Sequence, residues 1–120
     1  MIDIKIPYRL KNVANENEHH FERSKRIKKE RTMLSTLLMP QILNIKLPVA
    51  ITLIRVAPRR LDDFDNARIA LKSFKDIIAS LFLPDYKPGQ ADELACFKWT
   101  MAQTRGEPKE YAVRIMIEEI

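Results

Sequence analysis

Between positions 59 and 66 the chain reads Arg59-Arg60-Leu61-Asp62-Asp63-Phe64-Asp65-Asn66, placing three carboxylates and two guanidinium groups within eight residues. Ionised carboxylates this close repel one another, so a turn that keeps them together calls for a compensating charge. A divalent cation or the two arginines can supply it. Magnesium keeps several of its waters and takes one or two protein carboxylates together with phosphate oxygens. Asp63 and Asp65 can both point away from the core, with Phe64 between them as the apolar contact, and would form half of such a site. Asp92 is the expected third ligand, because it precedes a predicted strand that can lie beside the central one and bring Asp92 near the N-terminus of the helix after the cluster. Glu93 and Asp85 are weaker alternatives. Helix capping offers a plainer account of Asp62 or Asp63, but it explains one aspartate and not three.

The elements that must hold these residues follow from periodicity. Ile2, Ile4 and Ile6 alternate with Asp3 and Lys5 in a strand stopped by Pro7. Asn15 or Asn17 can cap a helix over 18–44, with Met33, Leu34, Leu37, Leu38 and Ile42 as its apolar stripe and Pro40 expected to kink it or end it early. Val49–Ala57, rich in β-branched residues and bounded by Pro48 and Pro58, predicts a central strand. Ala67, Ala70, Leu71, Phe74, Ile77, Ile78 and Leu81 predict an amphipathic helix of about 18 residues starting near Phe64. A turn-rich loop over 84–89 separates it from a strand over Leu94–Met101, and Tyr111, Val113, Ile115 and Ile117 mark the last strand. The prediction is a single α+β domain over 1–120, order β-α-β-α-β-β, with a mixed sheet of about four strands packed with two helices.

Composition narrows the partners. At 120 residues, 46% hydrophobic and 31% charged, the chain has the make-up of one globular domain. No apolar run reaches the length of a membrane span and the N-terminus lacks a signal-peptide core, so a soluble, cytoplasmic protein without membrane partner is expected. No glycine-rich phosphate loop, Ser/His/Asp set or cysteine knuckle appears, and no small-molecule cofactor is expected. His19 and His20 lack companions at metal-ligand spacing, and the single Cys96 is expected to be a small buried side chain. Trp99 and Phe97 are expected in the core or in a dimer contact. Residues 1–60 hold 13 Lys/Arg against 5 Asp/Glu, and residues 61–120 hold 8 against 11. Six basic residues fall within Arg23–Arg31, so the segment 17–32 is expected to be exposed and could be mobile without a ligand. A basic half joined to an acidic cluster suggests an anionic polymer held by one part and metal-assisted chemistry in the other; a solvated basic helix is the bland alternative.

The run Leu47-Pro48-Val49, the strand, Ala57-Pro58-Arg59-Arg60 and then Asp63-Phe64-Asp65-Asn66 before an amphipathic helix resembles the RusA family of Holliday junction resolvases. Members carry a D-x-D-N motif after a proline-arginine turn and a further aspartate after the following helix, similar to Asp63, Asp65, Asn66 and Asp92 here. The resemblance covers roughly 47–118, with a looser echo in the first strand and the basic segment. D-x-D-N alone is a weak motif; its place between strand and helix makes it moderately specific. The resemblance implies a homodimeric, Mg2+-dependent endodeoxyribonuclease, with Mn2+ able to substitute, that resolves four-way DNA junctions by paired phosphodiester hydrolysis in recombination and repair. It implies that Asp63, Asp65 and Asp92 are catalytic metal ligands and that Asn66 supports the metal shell or contacts substrate. Arg59 and Arg60 would then contact DNA, with Arg26, Lys28, Lys29 and Arg31 of the basic segment. The family has a lysine one helical turn after the second motif aspartate, where this chain has Ile69; Lys72 or Arg68 would have to reach the phosphate instead. A junction-binding protein with impaired catalysis, or a protein-interaction domain, are the alternatives.

Overall fold

The computed structural model describes residues 1–11, 18–61, 66–87 and 89–120. Strand β1 (Ile2–Ile6) buries Ile2 and Ile6, as a period-two strand with one wet face should. Helix α1 (His20–Ile42) buries Glu30, Leu34, Leu38 and Ile42, a stripe of every fourth residue. Its start has His19 as N-cap in extended backbone, without a side-chain cap bond; Asn15 and Asn17 lie outside the described residues. Pro40 does not end the helix. It is exposed two residues before the last helical position, so it removes only the bond to the Thr36 carbonyl on a solvent-facing turn.

Strand β2 (Val49–Ala57) has the predicted bounds, and helix α2 (Asn66–Phe82) buries Ala67, Ala70, Leu71, Phe74, Ile77 and Ile78. The expected start near Phe64 falls outside the described residues. A 3-10 turn over Ala91–Glu93 leads to β3 (Phe97–Arg105), three residues later than predicted. Leu94–Cys96 make a turn instead, with the Leu94 N–H bonding to the Ala91 carbonyl and the Phe97 N–H to the Leu94 carbonyl. Cys96 is half-buried there and packs against the core. Strand β4 (Ala112–Glu119) completes the sheet.

The sheet order is β1-β4-β2-β3, with β2 and β3 parallel and the other pairs antiparallel. A parallel pair needs a crossover, and α2 provides it, lying over β2 and β3 and against α1. Val49, Ile51 and Leu53 of β2 and Val113, Ile115 and Ile117 of β4 are fully buried, forming with Phe74, Leu71 and Ile78 of α2 and Leu34 and Leu38 of α1 a continuous core. Each such side chain contributes about 1.5–3 kcal/mol of transfer free energy. The α+β domain, its mixed four-stranded sheet and its two helices agree with the sequence prediction. Among the described residues no helix is long and apolar enough to cross a membrane.

Candidate metal and nucleic-acid site

Arg55 of β2 and Gln103 of β3 are register partners at the end of the parallel pair, and both reach the turn that leads to the acidic cluster. The Gln103 amide nitrogen donates to the Leu61 carbonyl at 2.7 Å, and its amide oxygen accepts from the Leu61 N–H at 2.9 Å. Arg55 Nη1 donates to the same amide oxygen at 3.2 Å and to the Arg59 carbonyl at 2.8 Å. Residues 59–61 are thus pinned at both ends immediately before Asp62. Nothing in the pattern around Gln103 announces this role, since an amide past the predicted end of a strand reads as a solvated side chain.

Asp62, Asp63 and Asp65 lie outside the described residues. Asn66 opens α2 and is half-buried, while Arg68 and Ile69 are exposed on its first turn. Asp92 is the site residue whose setting is most unusual. Its side chain is 0% exposed, and among the described residues neither carboxylate oxygen accepts a hydrogen bond from an N–H or hydroxyl group, although the Asp76 carboxyl lies within hydrogen-bonding reach. Lys75 Nζ lies 3.4 Å from Oδ2 and Lys72 Nζ 3.8 Å from it, close enough for ion pairing but without hydrogen-bond geometry. A buried carboxylate with unused lone pairs is costly unless a cation is near. The Asp92 backbone is held as well, since Trp99 Nε1 donates to its carbonyl at 2.8 Å. Trp99 is half-buried and stacks at a tilt on Phe97, 5.7 Å between centroids, which places it among the supports of Asp92.

Asp92 does not lie at the N-terminus of α2 as the sequence suggested. It faces Lys72, Lys75 and Asp76, farther along the helix. The cause is the parallel register: β3 begins level with Val49, at the end of β2 remote from the turn into α2. Lys72 also bonds Asp76 at 3.2 Å. Burial works against the Lys72 ammonium, but Asp76 and then Asp92 outweigh it and hold its pKa above the ordinary value. Burial raises the Asp76 carboxyl, with Lys72 opposing and Asp92 adding to the rise. Lys72 is therefore a charged group already engaged with the acidic pair. Glu93 is exposed and 3.6 Å from Lys75.

The basic segment is less solvated than its composition suggests. Glu30 is 0% exposed and accepts bonds from Tyr8 Oη at 2.7 Å, Arg26 Nη1 at 3.2 Å and Ser73 Oγ at 2.5 Å. Arg26 also forks onto Glu18, through Nε at 2.8 Å and Nη2 at 3.1 Å. Arg31 Nη1 donates to Ser80 Oγ at 3.0 Å, tying α1 to α2. The expectation of exposure is corrected at Arg26, Glu30 and Arg31, because α1 docks on α2 along this face; it holds at Arg23, Lys25, Lys28 and Lys29. The signal was present in spacing alone. Extending the Leu34–Leu38–Ile42 stripe back by four residues lands on Glu30.

Between the helices runs a groove of about 360 Å³ bordered by Arg23, Arg26, Lys72 and Asp76, with Ile69, 44% exposed, at its lip. A second cleft of about 580 Å³ lies at the end of β2 and β3, lined by Arg55, Arg59, Arg60 and Arg105 with Gln103 and Thr104. Among the described residues no group of three or more His, Cys, Asp or Glu could hold a metal ion. The Asp92 carboxylate offers hard oxygen donors of the kind such an ion takes, with the Lys75 and Lys72 ammonium groups now facing it. No protein-family model matches the chain and no curated protein matches it, so its fold stands on the geometry above and its activity is inferred from its residues.

Proposed function

We propose that the protein is a magnesium-dependent endodeoxyribonuclease of the RusA type, acting inside the cell on four-way DNA junctions during recombination and repair. The observation that carries this reading is the fully buried Asp92 carboxylate, without an N–H or hydroxyl donor among the described residues, beside the helix that follows the D-x-D-N motif. For Asp63, Asp65 and Asp92 to hold one Mg2+ ion, or Mn2+ in its place, with Asn66 supporting them, the motif aspartates would have to reach along α2 toward Lys72, where Asp92 sits. When bound, the ion supplies a lowered water pKa and stabilises charge on the leaving oxygen. Lys72, paired with Asp76 and beside Asp92, offers a cation to the scissile phosphate, a role Arg68 shares. Arg59, Arg60, Lys28 and Lys29 grip flanking phosphates, contacts that position the strands without reading bases. A homodimer would match the two-fold symmetry of the junction.

Incubation with a synthetic four-way junction and Mg2+ is expected to give paired nicks in opposing strands, lost in Asp65→Asn while junction binding persists. Binding without nicks, unchanged by Asp65→Asn, sinks the enzymatic reading. It would favour the second one, a junction-binding protein without cleavage, whose motive is the exposed Ile69 where the family carries a cation. The same assay tests Lys72. Lys72→Ala is expected to slow nicking by about 10²–10³-fold, the usual effect of removing one transition-state donor. Adding Ile69→Lys to that variant should restore at least a tenth of the rate, roughly 1.4 kcal/mol per tenfold step; no recovery would show that position 69 does not face the phosphate.

A further inference from the structure

We infer that the cleft lined by Arg55, Arg59, Arg60 and Arg105 is a phosphodiester-binding subsite, separate from the Asp92 centre and working without metal. This inference rests on the nucleic-acid reading above only for the identity of the polyanion. Arg55 is the group that points to it. Its guanidinium is half-buried, yet its two hydrogen bonds go to neutral oxygens, the Arg59 carbonyl and the Gln103 amide. Burial pulls its pKa below the ordinary value, with Tyr111 opposing and Arg9 adding to the fall; among the described residues no carboxylate acts on it. Arg59 and Arg105 are exposed at the same cleft, and no Asp or Glu among the described residues lines it. The guanidinium groups of Arg55, Arg59 and Arg105, without a carboxylate partner among the described residues, are kept beside Arg60 in a concave site.

Like charges so arranged repel, and the fold spends two side chains on holding them there. Gln103 and Arg55 fix the backbone of residues 59–61, which bears Arg59 and Arg60, while Arg105 follows from the β3 register opposite Ala57. The clamp is thus a preorganising device: the cost of gathering the cations is met on folding and not on binding. Guanidinium groups suit phosphate, since each can give two parallel N–H bonds to it. A single small anion would leave most of the cleft's charge unmet, whereas successive phosphates of one strand would not.

The test is binding to a synthetic four-way junction in EDTA over a range of salt, for the parent, Arg59→Ala, Arg105→Ala and Lys98→Ala. Arg59 and Arg105 are exposed, and Arg59→Ala retains the backbone carbonyl that Arg55 holds, so folding is preserved. Each arginine variant is expected to flatten the slope of log K against log salt by about 0.9, so that a fourfold rise in salt costs roughly 3.5-fold less affinity than in the parent. Lys98 starts the same strand at its far end and its removal should leave the slope unchanged. Unaltered slopes in both arginine variants, or an equal change in Lys98→Ala, overturn the subsite. Nicking in Mg2+ is scored in parallel. Flattened slopes without nicking leave the subsite and remove the nuclease, and nicking with unaltered slopes does the reverse.

Discussion

Asp92→Asn is expected to abolish junction nicking, by about 10³-fold or more, while leaving junction affinity in EDTA within about twofold of the parent. The amide keeps the volume but is a poor ligand for a hard cation and carries no charge. It also places an N–H₂ group or a neutral oxygen against Lys75 and Lys72, which lie 3.4 and 3.8 Å from the native carboxylate. The variant therefore has a second, independent signature. Removing one partner of a buried charge set leaves the others uncompensated, and with Lys72 still paired to Asp76 and half-exposed, a loss of about 1–3 kcal/mol is expected. Thermal unfolding and nicking measured on the same preparation separate the two effects. A stability loss with full nicking would reduce Asp92 to an ion-pair partner of the lysines and remove it from the ligand set.

How far such a site is legible from the chain depends on whether its signal is local. Strand β2 is bracketed by Pro48 and Pro58 and α2 carries an unbroken apolar stripe, so both could be placed from periodicity. Asp92 could be named because it precedes a strand, but its partners could not. The register that sets it beside Lys72 and Lys75 depends on which end of β2 the later strand starts from, and Leu94–Cys96 look like strand while forming the turn that decides it. Gln103 is harder still. Its amide acts on a backbone 42 residues earlier, and only the parallel pairing of β3 with β2 brings the two together. Glu30 shows the limit of composition: in a stretch of six basic residues a glutamate reads as solvated, and although its spacing puts it on the buried stripe, the partners that satisfy it, Tyr8 and Ser73, belong to other parts of the chain.

That buried glutamate carries the largest expected effect on stability. Glu30→Ala would leave the Tyr8 and Ser73 hydroxyls without their acceptor, keep Arg26 paired only with Glu18, and open a void where a fully enclosed side chain stood. Breaking a buried charge set in this way costs about 3–5 kcal/mol. That is a large share of the 5–15 kcal/mol on which a domain of this kind rests. In a chain of this length the melting midpoint should fall by about 10–20 °C. Glu30→Gln keeps an acceptor but drops the charge and should fall between parent and alanine. The Tyr8 hydroxyl supplies a check on the assignment. Burial, and then its bond to Glu30, pushes its pKa upward, so the folded state binds the phenolic proton more tightly than the unfolded chain does. The stabilisation is complete below the ordinary tyrosine range near pH ~10 and is lost as pH rises through the folded value. Stability should therefore decline on the alkaline side in the parent and decline less in Tyr8→Phe and in Glu30→Gln. Parallel alkaline profiles in all three proteins, or a Glu30→Ala variant within about 1 kcal/mol of the parent, would show that α1 is held to α2 by its apolar stripe alone.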